Sequence, residues 1–286
     1  MEKVKKRKID ILVLSDVHLG TYGCHAKELL FYLKTVKPQT VVLNGDIIDI
    51  WQFSKRYWPK SHMKVVKYLM QWMSKGVKIY YITGNHDETL RKFVGFELGS
   101  LSIVNKLVLE LDNSKRAWFF HGDVFDVTMQ HSKWLAKLGA VGYDTLILIN
   151  RVANFVSEKV FKKGKLSLSK KIKNSVKSAV KFVNNFEQTA AEIAIDNQYD
   201  YVVCGHIHQP EIKEIETAKG KVVYLNSGDW IENLTALEYV DQTWSIYRFD
   251  DNDRLSMLAQ DTADEELNNS QLFDNLVEEF NLLKQA

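Results

Sequence analysis

Apolar residues in the first third of the chain fall into short unbroken runs separated by helical patterns. Ile9 to Ser15, Thr40 to Asn44 and Val77 to Thr83 each read as a strand buried on both faces. Between them, Lys27 to Lys37 and His62 to Lys75 read as helices. In the second helix Val65, Val66, Leu69, Met70 and Met73 recur at helical spacing, and Gly76 follows as a stop. Strand alternating with helix predicts a parallel or mixed sheet with helical crossovers. Leu101 to Leu111 and Arg116 to His121 are further strand candidates. The rhythm is then lost from Ser132 to Phe182, which reads as several helices. Tyr199 to Cys204 restores a strand. Ile212 to Glu216, Lys221 to Asn226, Leu234 to Tyr239 and Thr243 to Phe249 follow as antiparallel strands, turned by Lys219-Gly220 and Asp241-Gln242. Two packed sheets with flanking helices fit this pattern. It predicts a single α/β domain over 1–286, with a helical insertion at about 130–190. An acidic amphipathic helix at about 264–286 would cover a surface or a partner subunit, which raises the expectation of a homodimer.

Bulk properties narrow the class without naming a function. A chain of 286 residues that is 45% hydrophobic can bury one large core. Two cysteines, Cys24 and Cys204, are too few for a disulfide framework, and a reducing compartment is the simplest reading. The basic start, Met1 to Lys8, lacks the apolar segment of a signal peptide, and no run of eighteen apolar residues predicts a membrane span.

The chemistry lies at the strand ends. Asp16 and His18 follow the first strand, Asp46 the second and Asn85 the third; His121, His206 and His208 follow later ones. Asp16 and His18 flank Val17, so on an extended segment both side chains would point to one side. Carboxylate, amide and imidazole donors in this series suit two divalent ions. Mg²⁺ favours the oxygens; imidazole shifts the choice toward Mn²⁺, Fe²⁺ or Zn²⁺, with Mn²⁺ the leading expectation. Asp46 could bridge the ions, Asn85 could give a neutral oxygen, and spacing alone does not assign each ligand to an ion. Two such ions stabilise charge on a phosphate and supply hydroxide near neutral pH. His86 is then the leading catalytic residue outside the ligand set, as charge stabiliser or proton donor, with Asp87 to orient its ring. Asp123 is expected to fix His121 by a hydrogen bond or to cap the following helix.

The series Asp16-Val17-His18, Gly45-Asp46, Gly84-Asn85-His86-Asp87, His121-Gly122-Asp123 and Gly205-His206-Ile207-His208 resembles that of the calcineurin-like metallophosphoesterases. The resemblance spans about residues 9 to 249 apart from the insertion. It implies a four-layer α/β/β/α sandwich of two mixed sheets. It also implies one metal on Asp16, His18, Asp46 and His208, and another on Asp46, Asn85, His121 and His206.

The insertion points to substrate. Arg151 to Lys181 holds ten Lys and Arg residues against one carboxylate, Glu158, interleaved with apolar residues such as Phe155. A helical hairpin of this kind suits an anionic lipid or a bilayer surface, or else packs on the core with its lysines in water. Few aromatics and a whole-chain charge of only +2 argue against nucleic acid. Together with Gly45-Asp46-Ile47-Ile48-Asp49-Ile50-Trp51 and the His121 block, the insertion resembles that of the UDP-2,3-diacylglucosamine pyrophosphatases of lipid A synthesis. That similarity implies release of UMP and a diacylglucosamine 1-phosphate. It also implies a bacterial cytoplasmic enzyme, peripheral at the inner membrane, with lipid contacts between Trp134 and Phe182. Trp51, Phe53, Trp134, Arg151 and Phe155 are the candidate substrate contacts. Those pyrophosphatases usually carry arginine where this chain has His86, whereas histidine is the general phosphoesterase pattern. A general phosphodiesterase or nucleotide phosphatase, and a noncatalytic metal-dependent module that binds a phosphorylated ligand, are the alternative readings.

Overall fold

The computed structural model describes residues 6–51, 57–112, 114–125, 183 and 186–259. The expected insertion at about 130–190 falls outside them except for 183 and 186–190, and the expected helix at about 264–286 lies outside entirely. Phe53, Trp134, Arg151 and Phe155 also lie outside the described residues.

The strands are β1 (Arg7–Leu14), β2 (Val36–Asn44), β3 (Lys78–Ile82), β4 (Glu97–Leu98), β5 (Leu101–Val104) and β6 (Leu107–Glu110). They continue as β7 (Arg116–Phe119), β8 (Tyr201–Cys204), β9 (Glu211–Thr217), β10 (Gly220–Asn226), β11 (Thr235–Val240) and β12 (Thr243–Arg248). Helices α1 (Ala26–Thr35) and α2 (Lys60–Ser74) join the early strands, and a 3₁₀ helix spans Glu88–Phe93. Residues 186–196 and 251–259 are also helical, as α3 and α4. One sheet has the order β12-β11-β1-β2-β3-β5-β4 and the other β6-β7-β8-β10-β9. Both are mixed. β1, β2, β3 and β5 run parallel, as do β7, β8 and β10, and antiparallel strands close every sheet edge.

Alternation along single strands assigns side chains to three apolar layers. Leu12 and Leu14 of β1 face α1 and α2, while Ile11 and Val13 face the space between the sheets. Ala117 and Phe119 of β7 fill that same space, and Trp118 packs with Phe186, Ala190 and Ala194 of α3 on the far side. Helix, sheet, sheet and helix therefore stack in four layers, and both faces of the central strands are dry. That is why β1, β2 and β8 read as continuous apolar runs.

The structure refines several expectations. α1 stops at Thr35 because β2 begins at Val36, and Pro38 holds Lys37 in the extended region. The stretch from Leu101 to Leu111 divides at Asn105-Lys106, where the chain leaves one sheet for the other as β5 and β6. The late hairpins belong to different sheets. The β11–β12 turn puts both Asp241 and Gln242 at positive φ, as a two-residue hairpin requires.

Phe119 is fully buried between the sheets. Phe119→Ala is expected to lower the unfolding free energy by about 3–5 kcal/mol in urea denaturation. A loss below about 1 kcal/mol would mean that the sheets do not close around this ring.

Candidate metal centre

Every parallel strand that ends near the sandwich mouth delivers part of the site at its carboxyl end, the usual position for a ligand site in an α/β sheet. β1 leads to Asp16 and His18, β2 to Asp46, β3 to Asn85 and His86, β7 to His121, and β8 to His206 and His208. Backbone hydrogen bonds tie these loops together. Asp16 N–H donates to Gly45 O at 3.1 Å, His18 N–H to Asp46 O at 2.9 Å, and Gly205 N–H to His121 O at 3.0 Å. Ile50 N–H reaches His86 O at 3.0 Å and Trp230 N–H reaches Asp16 O at 3.1 Å.

The backbone itself is unusual here. Asp16, His18, Asp46, His206 and His208 all have positive φ, between 51° and 68°. Non-glycine residues in this region are strained, and the strain persists only where surroundings over-determine it. The Asp16-Val17-His18 segment is therefore not extended, as the sequence suggested. Its two side chains converge because both residues adopt the left-handed turn conformation. Two glycines allow close packing of the donors: a methyl group on Gly84 would overlap Asp46 Oδ1, and one on Gly45 would overlap the His121 ring.

Three sets of donor atoms gather, each within 4.8 Å: Asp16, His18 and His208; His18, Asp46 and His86; Asp46, His121 and His206. Asp16 and Asp46 are buried, and backbone amides hold their oxygens. His206 N–H reaches Asp16 Oδ2 at 3.0 Å, and His86 N–H reaches Asp46 Oδ1 at 2.8 Å. His208 Nε2 lies 3.2 Å from Asp16 Oδ1. His121 Nε2 lies 3.2 Å from Asp46 Oδ2 but without hydrogen-bond alignment. His18 Nε2, His121 Nε2 and Asn85 Oδ1 are buried with no hydrogen-bond partner. Such atoms ordinarily find one, at a penalty of about 1–3 kcal/mol each if they do not. Three of them beside two buried carboxylates fit the ligand set of divalent cations.

Two sequence expectations are corrected. Asp87 does not orient His86. Its carboxylate is buried and accepts from Ile47 N–H, Gly84 N–H and the Tyr81 hydroxyl, so it pins the two loops together. The partner of His86 is Asp49, whose Oδ2 lies 2.9 Å from His86 Nδ1 and 3.5 Å from His18 Nδ1. Asp123 does not bond His121. It pairs with Arg91, and His121 Nδ1 bonds the Asn44 carbonyl oxygen at 2.9 Å, which leaves Nε2 to face Asp46. Asp49 carried a signal in the sequence, three residues after Asp46 in an otherwise apolar run. Asn44 carried none, because its backbone oxygen does the work. Trp51 is 60% exposed, with its ring centred 4.9 Å from the His86 ring. Asp229 caps its own turn through Ile231 N–H and Asn233, whose side chain also bonds His208 O.

Charge pairing sets the protonation states. Burial alone would raise Asp16, but His208 beside it holds the carboxyl far below the usual range. Burial is opposed in the same way at Asp46, which His121 brings down to about 2. The histidines respond in kind. Burial disfavours their charge, yet Asp16 lifts His208 to about 9 and Asp46 lifts His121 well above its ordinary value. For His86, too, burial is outweighed by Asp49 and Asp46, and its value rises.

A model of the calcineurin-like phosphoesterase family matches residues 9–210. The chain belongs to the calcineurin-like phosphoesterase family. Within it, a UDP-2,3-diacylglucosamine hydrolase from Aliivibrio fischeri (strain MJ11) is 22% identical, covering 83% of this chain and 98% of that protein. One from Blochmanniella pennsylvanica (strain BPEN) is 24% identical over 75% of this chain and 85% of its own length. Among solved structures, an archaeal phosphodiesterase aligns over 83% of this chain at 13% identity and a TM-score of 0.37. This phosphoesterase is a metal-dependent hydrolase of the dinuclear kind, acting on a phosphorylated substrate.

Asp16 raises His208 to about 9, and Asp46 shifts His121 upward in the same way. Ligation needs neutral imidazole, so cation binding must expel the protons they carry. Calorimetry of Mn²⁺ binding near neutral pH, in buffers of different ionisation enthalpy, should show release of about one proton or more per chain. Affinity should climb as pH rises toward about 9, the value for His208. Binding with no proton release would contradict this charge assignment.

Proposed function

We propose that this phosphoesterase hydrolyses the pyrophosphate of UDP-2,3-diacylglucosamine or a related nucleotide-linked lipid, releasing UMP and a lipid 1-phosphate. The observation that carries the reading is the pair of bacterial relatives bearing that activity in their names, which this chain matches over 85% and 98% of their lengths. The basic and apolar stretch Arg151 to Lys181 supports a lipid substrate and a place at the inner face of the bacterial inner membrane.

In this reading Asp16, His18, Asp46 and His208 hold one divalent ion, and Asp46, Asn85, His121 and His206 hold the other, with Mn²⁺ preferred over Mg²⁺, Fe²⁺ or Zn²⁺. When bound, the ions neutralise phosphate charge and supply hydroxide at neutral pH. The chain's own residues do the rest. Asp46 gathers with His18 and His86 on one side and with His121 and His206 on the other, and takes its orientation from the His86 amide. His86, with Nδ1 held by Asp49, keeps its other ring nitrogen for the leaving oxygen, and the pairing favours its charged form. Asp87 and Tyr81 keep the β2 and β3 loops at fixed separation. Trp51 offers an exposed ring beside His86 for a base or an apolar group.

The His86–Asp49 pair favours a second reading, a phosphodiesterase of broader range, because the UDP-lipid pyrophosphatases usually place arginine at that position. A product assay in Mn²⁺ separates the two. UMP from UDP-2,3-diacylglucosamine supports the first reading; cleavage of soluble phosphodiesters alone supports the second. Asp46→Asn should lower turnover by more than the roughly 10–100-fold typical of residues that only support a ligand, with the circular dichroism spectrum unchanged. Normal metal-dependent turnover by that variant would remove Asp46 from the centre.

A further inference from the structure

Beyond the metal centre, a group of exposed apolar side chains gathers around α2 and the chain that follows β3. Met63, Met70, Phe93, Phe96 and Leu98 are each 48–57% exposed. They come from α2, the 3₁₀ helix, the short edge strand β4 and, for Phe96, the turn just before β4. Phe96 N–H donates to Phe93 O at 2.9 Å. Leu98 stands opposite Leu101 in the β4–β5 pairing, so the two share a sheet face. Leu101 and Met70 together line an apolar cavity of about 150 Å³ between α2 and the sheet. Exposed apolar groups gathered around adjoining elements ordinarily mark an interaction surface.

Its charge tells what it meets. α2 carries Lys60, Lys64 and Lys67 and no acidic residue, and Lys75 follows its last turn. All four are exposed and, among the described residues, unpaired with any carboxylate. Lys92 lies 5.3 Å over the Phe93 ring. The 3₁₀ helix and β4 add Glu88 and Glu97, but α2 carries lysine alone, and a second copy meeting α2 with its own would set lysine against lysine. Nucleic acid would satisfy the lysines but offers nothing to Met63, Met70 and Leu98. A bilayer with anionic headgroups answers both features.

We propose that the face formed by α2, the 3₁₀ helix and β4 docks the protein on anionic membrane. Lysines lie at the level of the lipid phosphates, and Phe93, Phe96 and Leu98 enter the boundary of the acyl chains. The 3₁₀ helix begins two residues after His86, so docking brings the bilayer close to the metal centre. The surface shares no residue with the Arg151 to Lys181 stretch and requires no particular substrate.

The test is sedimentation of the full chain with phosphatidylglycerol-containing vesicles, against vesicles of phosphatidylcholine alone. Wild type should bind the anionic vesicles and release as salt rises. Lys64→Gln with Lys67→Gln should weaken that binding roughly 30-fold, from about 1 kcal/mol per lysine near the surface. Phe96→Ser with Leu98→Ser should weaken it as well. Both double variants should hydrolyse a small soluble phosphodiester at the wild-type rate, which reports that they fold. Variants that bind like wild type would place any membrane contact elsewhere and overturn the proposal. So would wild type that ignores anionic vesicles, whether it instead forms a dimer by sedimentation velocity or binds an oligonucleotide. The vesicles contain no nucleotide, so failure to cleave UDP-2,3-diacylglucosamine leaves this result unaffected.

Discussion

Burying Asp16 and Asp46 side by side at the ends of adjacent parallel strands would be prohibitive for bare carboxylates, by several kcal/mol for each ion. The surrounding structure is arranged around that constraint. Backbone amides from His206 and His86 hold the carboxylate oxygens, and His208 and His121 stand against them, each shifted toward its charged form by the carboxylate it faces. The same atoms that neutralise the carboxylates are the atoms a cation would take. The site thus has two stable charge arrangements, protonated or metal-loaded, and exchange between them follows pH and metal together.

Such close approach needs backbone that regular strands cannot supply. Five donors sit in the left-handed region, and the loops carrying them are bonded to one another. Gly45 and Gly84 leave out the methyl groups that would strike His121 and Asp46. Asp87 fastens the β2 loop to the β3 loop from below, with Tyr81 as its second contact. The strain at the donors is therefore carried by a frame that reaches into the apolar layer under α2, where Tyr81, Ile47 and Leu19 pack.

Much of this was legible in the sequence because the strands are buried on both faces, and their ends show as the point where apolar runs stop at Asp, Asn or His. The donor series needed no more than that. The errors have physical causes. Asp87 and Asp123 stand next to histidines in sequence, and adjacency suggested contact. In the folded chain, neighbours along a turn point apart, and the actual partners, Asp49 and the Asn44 carbonyl, come from the loop after β2 and from its last residue. Positive φ at Asp16 and His18 has no sequence signature when the residue is not glycine. Membership of each late hairpin in its own sheet also escaped pattern reading: β10 joins the preceding β8, whereas β11 joins β1 at the far end of the chain.

The central claim is that two buried carboxylates are balanced by a pair of cations. Anomalous diffraction from crystals grown with Mn²⁺ tests it most directly. Two peaks are predicted, one among Asp16, His18 and His208 and one among Asp46, His121 and His206, with Asp46 touching both. No peak at these donors under saturating Mn²⁺, or a single ion that leaves His121 or His208 without contact, would contradict the account.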